Sequence, residues 1–152
     1  MRKALIGKSP NLRIERSYWD AGYEIVAGLD EVGKGAWAGP LTIVALVPNR
    51  NFRINGVRDS KMLKEAEREK LFDRIDKWSE DWSLGHASNE ECDELGMSAA
   101  QRVAARRAID GLAKRPDRLL LDGTWDFVGD GRSETIVRGD QTSLSIAAAS
   151  IM

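Results

Sequence analysis

The chain has 152 residues, of which 42% are hydrophobic and 31% charged, and its net charge is −1. This length suits one domain with a real core and excludes two comfortable ones, and the near-zero charge gives no overall indication of nucleic-acid binding. The longest strongly apolar run, residues 41–47, is far too short to cross a bilayer, and the apolar stretch near the start is too brief for a secretory signal.

One cysteine and one histidine limit the available chemistry. Cys92 can form neither an internal disulfide nor a zinc cluster, which fits a reducing compartment. His86 lies in a strand-like stretch, where a structural role is the better interpretation, so carboxylates must carry any catalysis. We expect a cytoplasmic, monomeric protein with no membrane and no disulfide partner.

The first half of the chain predicts strands before helices. Residues 1–19 carry five basic side chains against one acidic, which is typical of a loose basic N-terminal arm. Residues 24–30 and 40–48 are runs of branched residues bounded by Gly and Pro, and they predict two buried strands in an antiparallel pair. The segments that follow predict a loop over 49–60, an amphipathic helix over 63–78 and a strand over 81–88.

The second half alternates helices and strands around one mixed sheet. A short acidic helix over 90–95 is capped by Ser88 or Asn89, and a longer one over 99–115 begins at a Ser98 cap. Strands over 118–123 and 133–140 and a helix from residue 142 follow. The order predicts a single α/β domain over 1–152. Because the last helix reaches Met152 without a capping signal, we expect the C-terminal part of the domain to be absent.

Carboxylates at strand ends are the strongest chemical signal. Asp30 and Asp122 each end an apolar strand and lead into glycines, and strand ends are where functional side chains converge in α/β folds. Asp30 and Glu31 are neighbours, so they share a site only if the backbone departs from strand geometry, which nearby glycines favour. Three gathered carboxylates need a divalent cation, and oxygen ligands select Mg²⁺ or Mn²⁺. The alternative for Asp122 is an ordinary Asp-Gly turn.

The segment GLDEVGKG, residues 28–35, also nearly matches a phosphate-binding loop. Gly35 replaces the magnesium-binding hydroxyl, two acids lie inside the loop, and a strand rather than a helix follows. These departures make a nucleotide triphosphatase a poor interpretation.

Four motifs together resemble one known family. GLDEVGKGAWAGPL (28–41) resembles the first signature of ribonuclease HII, the type 2 ribonuclease H enzymes. DSKML (59–63), LLLDG (119–123) and RGDQTSLSIAAASI (138–151) are similar to its second, third and fourth motifs. The motifs stand in the family's order and cover nearly the whole chain.

The resemblance implies a ribonuclease H-like fold, with a mixed central sheet flanked by helices and the C-terminal helices missing. It implies an endonuclease that cuts the RNA strand of RNA–DNA hybrids and nicks duplex DNA 5′ of single embedded ribonucleotides. Asp30, Glu31 and Asp122 would be the catalytic residues and would hold two Mn²⁺ or Mg²⁺ ions.

The resemblance also implies where nucleic acid binds. Gly33, Lys34 and Gly35 stand where the family usually has Gly-Arg-Gly, which senses the 2′-hydroxyl mainly through backbone groups. Lysine lacks the planar fork of arginine, so we expect altered junction recognition. Lys61 matches a family lysine near the nucleic-acid backbone, with an ordinary exposed lysine as the alternative. The helix that starts near Thr142 could offer its N-terminal amides to a phosphate.

The fourth family aspartate is expected several residues beyond SIAAAS, in a continuation that this chain lacks. Asp126, Asp130 and Asp140 are present, but the sequence places none of them as a substitute. We therefore expect weak activity at best. The alternatives are a module that binds RNA–DNA hybrids without cutting them, and another nuclease or transposase-like member of the same broad fold.

Overall fold

The computed structural model describes residues 9–32, 41–57 and 63–152. Those ranges contain five strands, β1 to β5 in chain order: Val26–Val32, Leu41–Val47, Asp81–Ala87, Arg118–Asp122 and Ser133–Ile136. They also contain six helices, α1 to α6: Arg13–Asp20, Glu65–Trp78, Asn89–Leu95, Met97–Asp110, Gly139–Thr142 and Leu144–Ile151.

The five strands form one mixed sheet in the order β3-β2-β1-β4-β5. β1 pairs antiparallel with β2, as its sequence predicts, and β2 pairs antiparallel with β3. On its other side, β1 runs parallel to β4, and β4 runs parallel to β5. The carboxyl ends of β1, β4 and β5 therefore meet at one edge of the sheet, which confirms the predicted mixed α/β architecture.

Side-chain alternation divides the core between the two faces of the sheet. Val26 and Leu120 belong to the cluster that packs against α1, α2 and α6. Leu29 and Leu121 belong to the cluster on the other face, where small alanines of α4 lie against the sheet. Each face of the sheet is thus covered by helices, which gives three layers in the order helix, sheet, helix.

Three predicted boundaries shift, two of them for local backbone reasons. The long helix α4 begins at Met97, because Gly96 turns the chain with φ 85° and serves as its N-cap, so Ser98 lies inside the first turn and is not the cap. It ends at Asp110 rather than near Pro116. The strand predicted over 133–140 stops at Ile136, because Arg138 takes a left-handed backbone and redirects the chain into α5.

Helix α1 lies where the charge pattern predicted a loose arm. Leu12 and Trp19 are buried in the core and Glu15 is fully buried, so residues 12–19 are packed against the domain. Their spacing of three and four residues is the helical signal that the basic side chains obscured. Residues 1–8 lie outside the described ranges. Among the residues that the structure describes, no helix is both long and apolar enough to span a membrane.

Candidate metal centre

Three aspartates from three elements come together at the carboxyl edge of the parallel strands. One carboxylate oxygen from each of Asp30, Asp122 and Asp140 lies within 4.8 Å of the other two, and all three residues are half-buried. Asp30 lies in β1, Asp122 ends β4 and Asp140 is the second residue of α5. We name this group the aspartate cluster.

Strand pairing brings Asp30 and Asp122 together. The parallel register sets Leu29 beside Leu121, so the two aspartates are the next residues along neighbouring strands. Alternation then directs both carboxylates to the face that α6 covers, which is also the face of Gly28 and Leu120. The structure thus brings together two of the three carboxylates that the sequence selected.

Asp140 reaches the cluster through a sharp reversal after β5. Arg138 has φ 56°, the one positive φ at a non-glycine residue in the described part of the chain. Such a backbone costs about 1–3 kcal/mol and persists only where its surroundings impose it. The next residue, Gly139, donates its N–H to Asp122 Oδ1 at 2.7 Å. A Cβ on Gly139 would lie 2.7 Å from Ile146 Cδ1, so the turn is closely packed.

The membership of Asp140 corrects the interpretation that no aspartate near the end of the chain is placed to contribute. The signal was available, because Asp140 follows strand β5 much as Asp122 follows the apolar part of β4. The last aspartate is instead expected beyond SIAAAS, and the strand is extended through residue 140, so the turn that brings Asp140 to the cluster is not predicted. Recognising Asp140 from the sequence thus depends on placing the end of β5 at Ile136.

The other two late aspartates stabilise their own loop instead. Asp126 Oδ1 accepts hydrogen bonds from the backbone N–H groups of Val128 and Gly129. Asp130 forms an ion pair with Arg132 at 2.5 Å, and the hydrogen bond from Arg132 lowers the pKa of Asp130. Neither belongs to the aspartate cluster.

Glu31 is not part of the group that the structure assembles. Strand β1 continues through Val32, so the backbone departure that would let Glu31 join Asp30 on one face is not present at these residues. Glu31 instead alternates with Asp30 and pairs with Ile43, which belongs to the opposite face. The Glu31 backbone N–H does contact the cluster, donating to Asp30 Oδ1 at 2.8 Å.

The predicted nucleic-acid contacts cannot be placed in the same way. Gly33, Lys34, Gly35 and Lys61 all lie outside the described residues. The backbone amides at the start of α6 do lie in the described residues. They donate to groups of the protein itself, so they do not form the free phosphate site that the sequence predicts. Leu144 N–H donates to the Asn11 carbonyl, and Ser145 N–H donates to Glu15 Oε2. A carboxylate of the protein therefore occupies the position predicted for a phosphate.

The donor set of the aspartate cluster fits a hard divalent cation. Carboxylate oxygens are the ligands that Mg²⁺ and Mn²⁺ prefer. Two oxygens that bind one cation at about 2.0–2.6 Å lie no more than about 5 Å apart, a limit that this group meets. Three like charges at these distances also repel, and a cation between them removes that repulsion.

Comparison with known proteins gives one family. The family model described as Ribonuclease HII matches residues 27–152. A Ribonuclease HII of Streptomyces avermitilis is 43% identical over 145 residues, which are 94% of this chain and 62% of the relative. A Ribonuclease HII of Orientia tsutsugamushi strain Boryong is 42% identical over 144 residues, 95% of this chain and 68% of the relative. The chain thus spans about 62% of the length of the Streptomyces relatives.

Solved structures agree on the fold. The ribonuclease H2 of Pyrococcus horikoshii OT3 superposes with a TM-score of 0.68 at 26% identity, covering 84% of this chain and 69% of that one. The RNase HII of Archaeoglobus fulgidus, solved in a complex with PCNA, superposes with a TM-score of 0.66 at 25% identity, covering 84% and 70%. Both support a ribonuclease H-like architecture for the sheet and its helices.

Proposed function

Because this chain belongs to the ribonuclease HII family, we propose that it acts as an endonuclease that hydrolyses the RNA strand of RNA–DNA hybrids. The observation that carries the proposal is the aspartate cluster at the carboxyl edge of the sheet. Parallel strands β1 and β4 and the turn after β5 bring its three carboxylates within reach of one cation.

The three carboxylates would repel the negatively charged phosphodiester of a nucleic acid, so a nuclease with this site needs a cation between them. Asp30, Asp122 and Asp140 would hold Mn²⁺ or Mg²⁺, which in nuclease sites activates water and stabilises the leaving oxygen. The residues of this chain fix the carboxylates: Gly139 N–H orients Asp122, and Glu31 N–H orients Asp30. Each of these hydrogen bonds restrains one carboxylate oxygen of the cluster.

The finer features of the reaction belong to the same proposal. We propose cleavage on the 5′ side of a single ribonucleotide in duplex DNA, with a 3′-hydroxyl and a 5′-phosphate as products. Gly33, Lys34 and Gly35 would sense the 2′-hydroxyl, and Lys61 would contact the backbone. A second cation would require Glu31 to turn towards Asp30, since its strand position directs it to the other face.

The test compares two labelled substrates, an RNA–DNA hybrid and a DNA duplex with one ribonucleotide, each with Mn²⁺ or Mg²⁺. The proposal expects cleavage that the Asp122→Asn variant loses and the Asp110→Asn variant keeps. Asp110 is the matched control because it is an exposed aspartate at the end of α4, on the opposite face of the sheet. Binding of the hybrid without cleavage by the wild-type chain would contradict the nuclease and support the binding module.

A further inference from the structure

Glu15 is a fully buried acidic residue in α1 that does not belong to the aspartate cluster. In the described part of the chain, the buried polar or charged residues are Glu15, Ser143 and Ser145, each 0% exposed. All three contact one another. A buried carboxylate is costly unless hydrogen bonds compensate its lost hydration, so the position of these bonds indicates what the residue is for.

All the hydrogen bonds converge on one carboxylate oxygen. Ser143 Oγ and Ser145 Oγ each donate to Glu15 Oε2 at 2.6 Å, and Ser145 N–H donates to the same oxygen at 2.9 Å. Ser143 is also the N-cap of α6, since its Oγ accepts from Ile146 N–H at 3.3 Å. The carboxyl group of Glu15 therefore lies at the N-terminus of α6, where backbone N–H groups that have no partner within the helix favour an acceptor.

The backbone around Glu15 reinforces the same junction. Asn11 N–H donates to the Thr142 carbonyl at 3.1 Å, and the Asn11 carbonyl accepts from Leu144 N–H at 2.9 Å. Residues 11–15 thus hold residues 142–145 by both main chain and side chain. Asp140 stands two residues before this clamped segment, on a helix of only four residues.

The clamped segment is also pressed against the strand that carries Asp30. A Cβ on Gly28 would lie 2.5 Å from Ser145 Oγ and 2.6 Å from Ile146 N. Gly28 is two residues before Asp30 in β1, and on the same face of the sheet. The segment that Glu15 contacts is therefore also the segment that packs against β1, on the face that carries Asp30.

We propose that Glu15 is a positioning residue for the aspartate cluster, which holds the α5–α6 junction so that Asp140 meets Asp30 and Asp122. This inference rests on the proposed metal-dependent function. A core that served stability alone would tolerate apolar replacements here, since well-packed apolar groups often replace buried ionic groups without loss. The polar network instead specifies one arrangement of the junction. Glu15 itself touches neither the cluster nor the substrate.

The experiment measures Mn²⁺ binding by calorimetry on the purified chain without nucleic acid, with circular dichroism to confirm folding. Glu15→Ala is expected to weaken Mn²⁺ binding about tenfold or more, in the range found when groups that orient metal ligands are removed. Glu15→Gln keeps an oxygen that can accept the hydrogen bonds made to Oε2. Its amide nitrogen would replace Oε1, which has no hydrogen-bond partner in the described residues, so no hydrogen bond is removed. The loss of Mn²⁺ affinity is therefore expected to be smaller than in Glu15→Ala. This variant carries the test if Glu15→Ala fails to fold.

The matched control is Ile109→Ala, which removes a buried side chain from α4 on the opposite face of the sheet. It is expected to lower thermal stability while leaving Mn²⁺ affinity unchanged. Unchanged affinity in both Glu15 variants, with normal binding by the wild type, would overturn the positioning role alone. No Mn²⁺ binding by the wild type would overturn the proposed metal centre and this inference with it.

Discussion

Replacing Gly28 by alanine tests whether the approach of α6 to β1 controls the aspartate cluster. The added Cβ would lie 2.6 Å from both the Ser145 carbonyl carbon and Ile146 N, whereas ordinary contacts begin near 3.4 Å. Both atoms are backbone, so no side-chain rotation relieves the overlap. Helix α6 must withdraw from β1 by the difference, about 0.8 Å, or the strand must bend by as much.

The expected cost follows from that displacement. Overpacking of this kind destabilises a fold by about 1–3 kcal/mol, and each kcal/mol lowers the Tm of a chain of this length by about 2–4 °C. Because α5 is joined to α6, the withdrawal also carries Asp140 away from Asp30. Oxygens now within 4.8 Å would then approach or exceed the limit of about 5 Å for one cation. Metal affinity should therefore fall with stability.

The assay pairs thermal unfolding in EDTA with Mn²⁺ titration of the same preparations. Gly85→Ala is the control, because its Cβ would lie 2.0 Å from the Ala104 carbonyl oxygen and 2.3 Å from Ala108 N, under α4 on the other face. It should lose at least as much stability as Gly28→Ala and keep its Mn²⁺ affinity wherever it folds. A Gly28→Ala protein that is destabilised but binds Mn²⁺ as tightly as the wild type would refute the coupling between the helix position and the cluster.

Three further predictions concern charge. Asp140→Asn removes one carboxylate of the cluster. Calorimetry should then show that Mn²⁺ affinity falls at least about tenfold, since even groups that only orient metal ligands contribute that much. An affinity equal to that of the wild type would show that Asp140 is not a ligand. Mn²⁺ at 100 times its Kd should stabilise the folded protein by about 2.7 kcal/mol. Removing the Mn²⁺ with EDTA should therefore lower the Tm by about 5–10 °C relative to the metal-loaded protein. An unchanged Tm would contradict Mn²⁺ binding to the folded state. Finally, hydrogen bonds from Arg107 lower the pKa of Glu91 to about 2 from its ordinary 4.5. The pair's small contribution to stability should be complete above pH 4.5 and disappear as the pH falls towards 2, because protonation of Glu91 breaks the pair. NMR titration of an Arg107→Gln variant should return the pKa of Glu91 towards 4.5, and a pKa that stays near 2 would assign the shift to another cause.

Elements with strong local signals could be predicted from the sequence. The branched runs of β1, β2 and β4 are buried on both faces, so they need no alternation and stand out as continuous apolar segments. The sequence limited the cap of α3 to Ser88 or Asn89, and the structure selects Ser88, whose Oγ accepts from Glu91 N–H and whose N–H donates to Glu91 Oε1. In each case the residues that specify the element lie within it.

The missed features depend on partners distant in sequence. Glu15 lies in a basic segment that suggested a solvated arm, and it is buried because Ser143 and Ser145 meet it from the other end of the chain. The left-handed backbone at Arg138 is equally hidden, because arginine has no local preference for it. The parallel pairing of β4 with β5 and the Gly139 hydrogen bond to Asp122 are among the contacts that hold that turn.

The same distinction explains why the sequence found two members of the aspartate cluster and missed the third. Asp30 lies in β1 and Asp122 ends β4, and these strands pair directly with each other, so pairing of the two buried strands brings their carboxylates together. Asp140 stands outside any strand, and its position depends on a strained turn, a tightly packed glycine and a helix clamped by Glu15. A carboxylate held in this way can be displaced without unfolding the sheet. The cluster therefore has two members fixed by the fold and one whose position the α1 contacts control, which is why variants of α1 are expected to change metal affinity from outside the site.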